Sequence, residues 1–523
     1  MNNIANSVLL QKPESSLHNM SEELRTTTGL GRLTPVFIQE VLPDDTIDIN
    51  AEFMTKFQPL LTPAFQNFNA YVHYFYVPFR ILWNNWRWYI QNVPAPGAPA
   101  PPTLPYLNLS GRPQVEFDAP SPDFLHNYYG MQSPTNLEAI NALPYFAYQL
   151  IYNEYYRHEQ MEPDNSLSLQ STDGLQNAKL PLLQAMRYRT YKDDYFTMAL
   201  KSPQSGNEAN LTLATQNMLA VNRNYNPFPT GDFDNRWVSS DQPSGTVTDT
   251  NVKNDATADP NIDPNYLYVD PNQATFQISM NQLIELNRMQ EFLVRQNLAG
   301  NRYNEYILAF FGVRVPDLRI DRPDYICGVK APVTVSEVLN TANSQGYQSG
   351  QANSFAEGGK RGYYCYEHGL VIGIYSCIPT NSYMNAIQRL FFKQSYEDWY
   401  VPIFDQMGER EIINKEIVQD HVDPYGTFGY VPKFAEYRMT FGKVTGEFAD
   451  TLNTWHMALD LPTNVTLNSQ FFDIRNPART FAITDPRIAD PILVWIVNQV
   501  YINRPMKKYS MAVLSNQYGN NIS

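Results

Sequence analysis

The stretch "AYVHYFYVPFRILWNNWRWYI", residues 70–90, decides how this chain folds. Nine of its residues are aromatic. Residues 70–77 are apolar, β-branched or aromatic at nearly every position, over the length of one strand. A strand with one wet face alternates, so a run this continuous predicts a strand covered on both faces. Pro78 brings no N–H to a ladder and ends the strand. Beyond it, Leu82, Trp86 and Tyr89 recur at i, i+4 and i+7 and predict a short helix over 81–90. A membrane anchor is excluded, because Arg80, Arg87, Asn84, Asn85 and His73 interrupt the rings and a bilayer-centred arginine costs about 2.5–3.5 kcal/mol. Trp83, Trp86 and Trp88 are candidates for the core or for a contact between subunits.

The rest of the chain supports a large β-rich protein. It has 523 residues, 13% aromatic and 17% charged, against roughly 25% charged in an average soluble domain. Low charge with many rings is the composition of contact surfaces as well as of strands. The net charge is −14, whereas a protein that tracks phosphates alone needs a surplus of Lys and Arg. The one basic doublet singled out is Lys507-Lys508, near Arg504. The three cysteines are separated by 37 and 11 intervening residues, form no C-x-x-C pattern and read as buried thiols. The opening "MNNIANSVLLQKPESSLHNM" lacks the basic flank and apolar core of a secretory signal. No run reaches 18 apolar residues.

Residues 35–57 read as strand, turn, strand around Pro43-Asp44-Asp45. Nine prolines in 92–122 block helix and ladder. With Tyr106, Leu107, Leu109 and Phe117 interleaved, this is expected to be an extended arm lying on a surface. Residues 136–160 are helix-like, with a start at Pro144. Residues 201–273 turn to Asn, Asp, Pro, Ser and Gly, yet rings persist through them, which predicts an ordered projecting subdomain over 205–273. Residues 279–298 form the strongest helical pattern, with Met280, Leu283, Ile284, Phe292 and Leu293 on one face. Strands are expected again at 369–378, 436–448 and 492–502. Early and late strands would pair across the long middle, as in a single sandwich.

Catalytic patterns fail at named atoms. "GGKRG" (358–362) has Arg361 where a phosphate loop needs Ser or Thr, and reads as a flexible turn. "GYQSG" (346–350) has its serine one place off a nucleophile elbow. Glu154 and His158 read as an i, i+4 pair, and His421 in "DHVD" as a satisfied surface histidine. Asp259, Asn261, Asp263, Asn265 and Asp270 fall at calcium-loop positions. However, Pro264 stands where that loop needs glycine, so the segment reads as ordinary turns. No cofactor, no metal and no nucleophile with a base and orienting group is called.

Ordered blocks nearly end to end resemble the major capsid protein of small single-stranded-DNA bacteriophages, the microviruses, in their gokushovirus branch. They are "RTTTGLGRLTPVFIQEVLPDDTIDI" (25–49), "YVHYFYVPFRILWNNW" (71–86), "LPYFAYQLIYNEYYR" (143–157), "DDYFTMAL" (193–200), "RYNEYILAFFGVRVPDLRIDRPDYICG" (302–328), "EHGLVIGI" (367–374), "GEREIINKEI" (408–417) and "PKFAEYRMTFGKVTGEF" (432–448). The resemblance implies a mainly β protein: an eight-stranded antiparallel jelly roll with large insertions. It implies a structural, non-enzymatic subunit, sixty of which close an icosahedral shell around a circular single-stranded DNA genome. The implied partners are further copies of the chain, the packaged DNA, a small basic DNA-binding protein, an internal scaffolding protein and a receptor on the bacterial host. The implied place is the virion, assembled in the host cytoplasm without membrane insertion. By the same resemblance, the insertion at the place of 205–273 forms threefold protrusions; its own sequence departs from the family, and its scattered rings Tyr225, Trp237, Tyr266 and Tyr268 are the host-recognition candidates. Arg25, Lys507 and Lys508 are candidates for interior DNA contacts. A host-attachment or carbohydrate-binding β-protein that forms no shell is the competing expectation.

Overall fold

The computed structural model describes residues 14–117, 124–165, 169–204, 221–223, 267–269, 280–299, 302–339, 348–405, 407–474, 479–483 and 488–508. Nine strands build the main sheet: β1 (Ser16–Asn19), β2 (Glu22–Thr28), β3 (Thr34–Val41), β4 (Thr46–Phe57), β5 (Phe68–Pro78), β6 (Asp324–Leu339), β7 (Gln348–Tyr364), β8 (Gly369–Pro379) and β9 (Ile492–Arg504). Their order across the sheet is β1/β2, β9, β4, β7, β6, β5, β8, β3, and every pairing is antiparallel. β1 and β2 lie end to end along β9, opposite Tyr501–Arg504 and Ile492–Asn498 respectively, so they fill one strand position and the sheet has eight. The expected pairing of early with late strands is met by β9, which runs between β4 and the amino-terminal strands.

The sheet curls so that its two ends face each other, as in a jelly roll. β6 pairs with β5 through Asp324–Val333 and with β7 through Thr334–Leu339. β7 then passes to β4 from Asn353 onward. Each strand of this long hairpin thus belongs to one half of the sandwich at its base and to its partner at the tip. Across the interior, Thr55 Oγ1 lies 2.8 Å from the Tyr375 hydroxyl, and Phe53 meets the Tyr375 ring edge-on at 6.1 Å. Tyr74 donates to Asn498 Oδ1 at 2.5 Å. The Asn498 amide donates to the Val36 carbonyl at 3.0 Å. Asn498 is fully buried, so this one side chain joins β9, β5 and β3.

Burial follows the sequence patterns. β4 and β9 alternate between core and surface along most of their length, as strands with one covered face do. β8 is buried at every position, and β5 from Tyr74 to Pro78. The second cover is a helical layer. A helix, α3 once the short α1 (Phe79–Leu82) and α2 (Trp86–Ile90) are counted, spans Leu143–Ile151 with Pro144 in its first turn. Its Tyr145, Phe146 and Tyr148 pack with Phe75, Val77 and Ile372 in a second apolar cluster. The Tyr148 hydroxyl bonds the Leu33 carbonyl at 2.8 Å. Gly373 lets the sheet close here: a Cβ would come within 2.8 Å of the Tyr74 ring and 2.9 Å of Phe37. From the proline-rich segment, Leu107, Leu109 and Phe117 enter the same cluster.

By contact density the chain separates into residues 1–205 with 296–523, and residues 206–295. In the second unit the described backbone includes a strand pair, Val221–Arg223 with Leu267–Val269. The expected helix is present as α4 (Met280–Ala299). Of its apolar face, Leu283 and Ile284 are exposed and Leu293 is partly buried.

Several local expectations are corrected. Residues 81–90 are not one helix: Trp83 is extended and separates α1 from α2. Residues 436–448 are not a strand. A 3₁₀ turn at Ala435–Tyr437 and another at Gly446–Ala449 bracket an irregular path. Lys443 bridges to Tyr383, and Gly442 passes so close to the Asn381 carbonyl that a Cβ would sit 2.4 Å from it. "GGKRG" lies inside β7, with a bulge after Lys360 and Gly362 at φ 70°. Glu154 and His158 form no pair among the described contacts. The helical turn ends at Tyr156 and Arg157 is extended, so Glu154 reaches Arg322 while the His158 ring lies against Phe472. His421 is satisfied but buried: its Nδ1 accepts from the Asp423 N–H and its Nε2 donates to the Val465 carbonyl, both at 3.0 Å. Cys365 and Cys377 are buried, while Cys327 is partly exposed; all three are free thiols.

Two measurements test this core. Asn498→Ala leaves the Tyr74 hydroxyl and the Val36 carbonyl without a partner, at about 1–3 kcal/mol each. The denaturation midpoint of the subunit should fall accordingly, and an unchanged midpoint would refute the staple. His73, on β5, has its Nδ1 2.7 Å from the Tyr156 hydroxyl. Burial, reinforced by the Arg189 guanidinium, lowers its pKa from 6.5 to about 4. The unfolded chain therefore takes up this proton first, and stability present above pH 6.5 is lost as pH falls toward 4. His73→Gln should make the fall in melting temperature across that window shallower.

Candidate functional site

The chemistry around residues 79–90 begins with the break between α1 and α2. Extended backbone at Trp83 turns its ring inward, where it is 1% exposed. Its Nε1–H donates to Asp173 Oδ1 at 2.9 Å, and Asn85 donates to the same oxygen at 2.9 Å. Trp86 is half-buried between Phe79 at 4.5 Å and His368 at 5.7 Å. Trp88 is partly exposed, with the Arg87 guanidinium 4.5 Å above its ring. The three tryptophans thus divide. Trp83 cements one subunit, Trp86 closes the rim, and Trp88 keeps a face available for contact.

An open groove of about 890 Å³ runs beside them, lined by residues that include Arg80, Arg87, Arg157, Arg302 and Arg322 and, opposite, Glu154, Glu159, Glu162, Asp164 and Asp321. Arg302 pairs with Glu159 at 2.7 Å and Glu305 at 3.5 Å. Arg322 pairs with Glu154 at 3.7 Å and Asp317 at 3.6 Å. Arg80 pairs with Asp321 at 2.5 Å and Glu367 at 3.0 Å. With five arginines set among five carboxylates and three of those arginines ion-paired, the groove offers no surplus positive charge to a phosphate backbone.

The basic candidates lie along the outer edge of the sheet. Arg25 is on β2, largely exposed and ion-paired with Glu23, which also accepts from the Trp495 indole at 2.5 Å. Lys507 and Lys508 are exposed just past β9. Arg25 stands opposite Trp495 in register. From there to Arg504 is nine residues of strand, roughly 30 Å at about 3.4 Å each. The structure therefore does not bring Arg25 and the lysines into one patch. Tyr225, Trp237 and Tyr266, and the calcium-loop candidates Asp259, Asn261, Asp263, Asn265 and Asp270, lie outside the described residues. Tyr268 is described in backbone only, opposite Asn222.

Buried charged clusters are the features sequence reasoning missed. Arg32 and Asp490 pair at 2.8 Å, almost without solvent contact, and Arg32 also donates to the Tyr128 hydroxyl at 2.9 Å. Asp194 accepts from the Tyr383 hydroxyl at 2.9 Å and the Asn381 amide at 3.0 Å. Glu416 is fully buried between Arg389 and the Tyr195 hydroxyl. The one available signal was a lone arginine among apolar residues, Leu30-Gly31-Arg32-Leu33. Among the described residues no cluster of three His, Cys, Asp or Glu could hold a metal, and no helix is long and apolar enough to cross a membrane.

A profile of the family described as capsid protein (F protein) matches residues 8–514. The chain belongs to that family. It is 28% identical over 520 residues to capsid protein VP1 of Bdellovibrio phage phiMH2K, covering 95% of each chain. It is likewise 28% identical over 578 residues to capsid protein VP1 of Chlamydia phage 1, again with 95% of each chain. To capsid protein VP1 of Spiroplasma virus 4 it is 23% identical over 546 residues, with the same coverage. The subunit is a structural capsid protein and its place is the virion. For a capsid protein, surfaces are the functional site, and the fates of the tryptophans can be told apart. Trp83→Ala should cost the isolated subunit about 3–5 kcal/mol. Trp88→Ala should change its stability by no more than about 0.5 kcal/mol. Equal losses in a thermal melt would show that both rings serve the same core.

Proposed function

We propose that sixty copies of this subunit close a simple icosahedral shell around a circular single-stranded DNA genome. The observation that carries the reading is the end-to-end family match over residues 8–514, joined to a curled eight-position sheet of capsid type. The net charge of −14 and the neutralised groove imply that the shell does not balance the genome's phosphates. A small basic DNA-binding protein does so, and contacts from Arg25, Lys507 or Lys508 are weak and salt-sensitive. An internal scaffolding protein assists closure. Residues 205–273, set between the "DDYFT" block and α4, form the threefold protrusions and meet the bacterial surface. The subunit has no catalytic role.

Electron microscopy of the purified protein should show closed particles of uniform diameter; monomers under every assembly condition would overturn the proposal. Replacing residues 205–273 by a short linker should leave particle yield intact and reduce infection by at least tenfold. Loss of assembly in that variant would instead place contacts between subunits in the segment.

A further inference from the structure

Outside the sheet, residues 389–407 run as three short 3₁₀ turns, Arg389–Phe392, Tyr396–Asp398 and Pro402–Phe404. This segment turns its large side chains outward. Phe391 is 73% exposed, Tyr396 74% and Ile403 80%. Trp399, Tyr400 and Met407 are each exposed by about half. Large side chains carry about 150–250 Å² each, so these six leave on the order of 700 Å² of apolar surface. A typical monomer's largest patch is roughly 300–600 Å². A stable interface takes about 800 Å² from each partner.

The rings at the centre of the segment are held in shape. Lys393 Nζ lies 4.3 Å from the Tyr437 ring centre and 5.3 Å from that of Trp399. Tyr400 meets Tyr437 at 6.0 Å and Phe434 at 5.2 Å. Lys433 lies over Phe404 at 5.1 Å and reaches the Met407 sulfur at 3.2 Å. Ser395 and Asp398 cap the middle turn reciprocally. Beside it opens a cavity of about 230 Å³ walled by Leu390, Lys393, Tyr437 and Phe441 among others. A cavity of about 150 Å³ holds a benzene ring, so this notch admits one aromatic side chain.

Most charges around the patch are paired, and Lys433 and Glu397 add one of each sign. Lys393, with its side chain 2% exposed, pairs with Glu436 at 2.8 Å, and Glu436 also receives Arg410 at 2.9 Å. Arg438 pairs with Asp405 at 2.5 Å. A nucleic acid would need a surplus of cations here, and a basic protein a surplus of carboxylates. Rings, methionine and a notch with its charges paired internally form the core of an interface between like chains.

We propose that this face, centred on Trp399, Tyr400 and Ile403, is a contact surface for a second copy of the same chain in the shell. The assignment rests on the capsid reading above and deepens it by naming the surface. The test places photoreactive benzoyl-phenylalanine at position 403 in assembled particles. Irradiation should give a species of twice the mass of one chain. Particles that form normally but yield no such dimer, or yield a product with a protein of another mass, overturn this assignment and leave the shell standing. A wild-type chain that forms no particles overturns both. In parallel, the Tyr396→Asp, Ile403→Asp double variant should melt as the parent subunit does and form at least tenfold fewer particles. Assembly at the parental yield would overturn the proposal.

Discussion

Asn498 is the small hinge on which the sandwich closes. It sits in the last strand of the sheet, fully buried, and an amide there is costly unless both its ends are bonded. Its oxygen takes the Tyr74 hydroxyl and its nitrogen gives to the Val36 carbonyl. Those partners lie on strands of the opposite half of the curl, one of them the far edge strand. Apolar packing alone would let the halves slide, because burial is nearly indifferent to small lateral shifts. A bonded amide is not, since its partners must be met in direction and distance. The register of β9 against β4 and β2 and the closure of the sheet are thereby fixed together. A strand from the carboxyl-terminal region is locked to strands contributed by the first 80 residues.

That arrangement explains what could be read from residues alone. The continuous run Tyr74–Val77 and the alternating run Ile47–Phe57 differ because, among the described residues, the half of the sandwich that holds Tyr74–Val77 carries a helical layer and the face of β4 away from the core is partly open. Periodicity records local cover, so both strands and their faces were legible. So was the pairing of early with late strands, because strands at both ends with few between them leave little other way to bury their faces. Within the helix-like stretch expected over 136–160, the start at Pro144 was legible from its apolar spacing, but the α-helix spans only 143–151, with a short strand at Ile140–Asn141 before it and a π turn at Tyr152–Tyr156 after it.

What was not legible depends on partners distant in sequence. Residues 436–448 have the composition of a strand, but their hydrogen bonds go to the Tyr383 loop and Gly442 fits against Asn381. Strand propensity expresses fit to a pleated surface, and no such surface is offered there. Arg32 finds Asp490 and Glu416 finds Arg389 only after the chain has folded, so neither pair can be deduced from one sequence. Of the site candidates, the tryptophans are divided between core and surface by one extended residue, Trp83, which no periodicity announces. The apolar face at 390–407 was overlooked because its rings follow no period; they are displayed by short turns rather than by one helix or strand.

The distribution of charge links these points to the biology of a shell. The chain is poor in charged residues, and its arginines are largely bound to carboxylates, in the groove beside Trp86, in the core and beneath the 390–407 face. Paired charges fix geometry without creating a long-range field, and in partly buried settings they resist salt better than exposed ones. A subunit that must meet copies of itself gains from this, since copies with a strong field of one sign repel each other. The same economy leaves little cation for the genome. Neutralising DNA and closing the shell make opposite demands on one surface, and the sequence satisfies the second. The separate basic component proposed above is the physical counterpart of that choice.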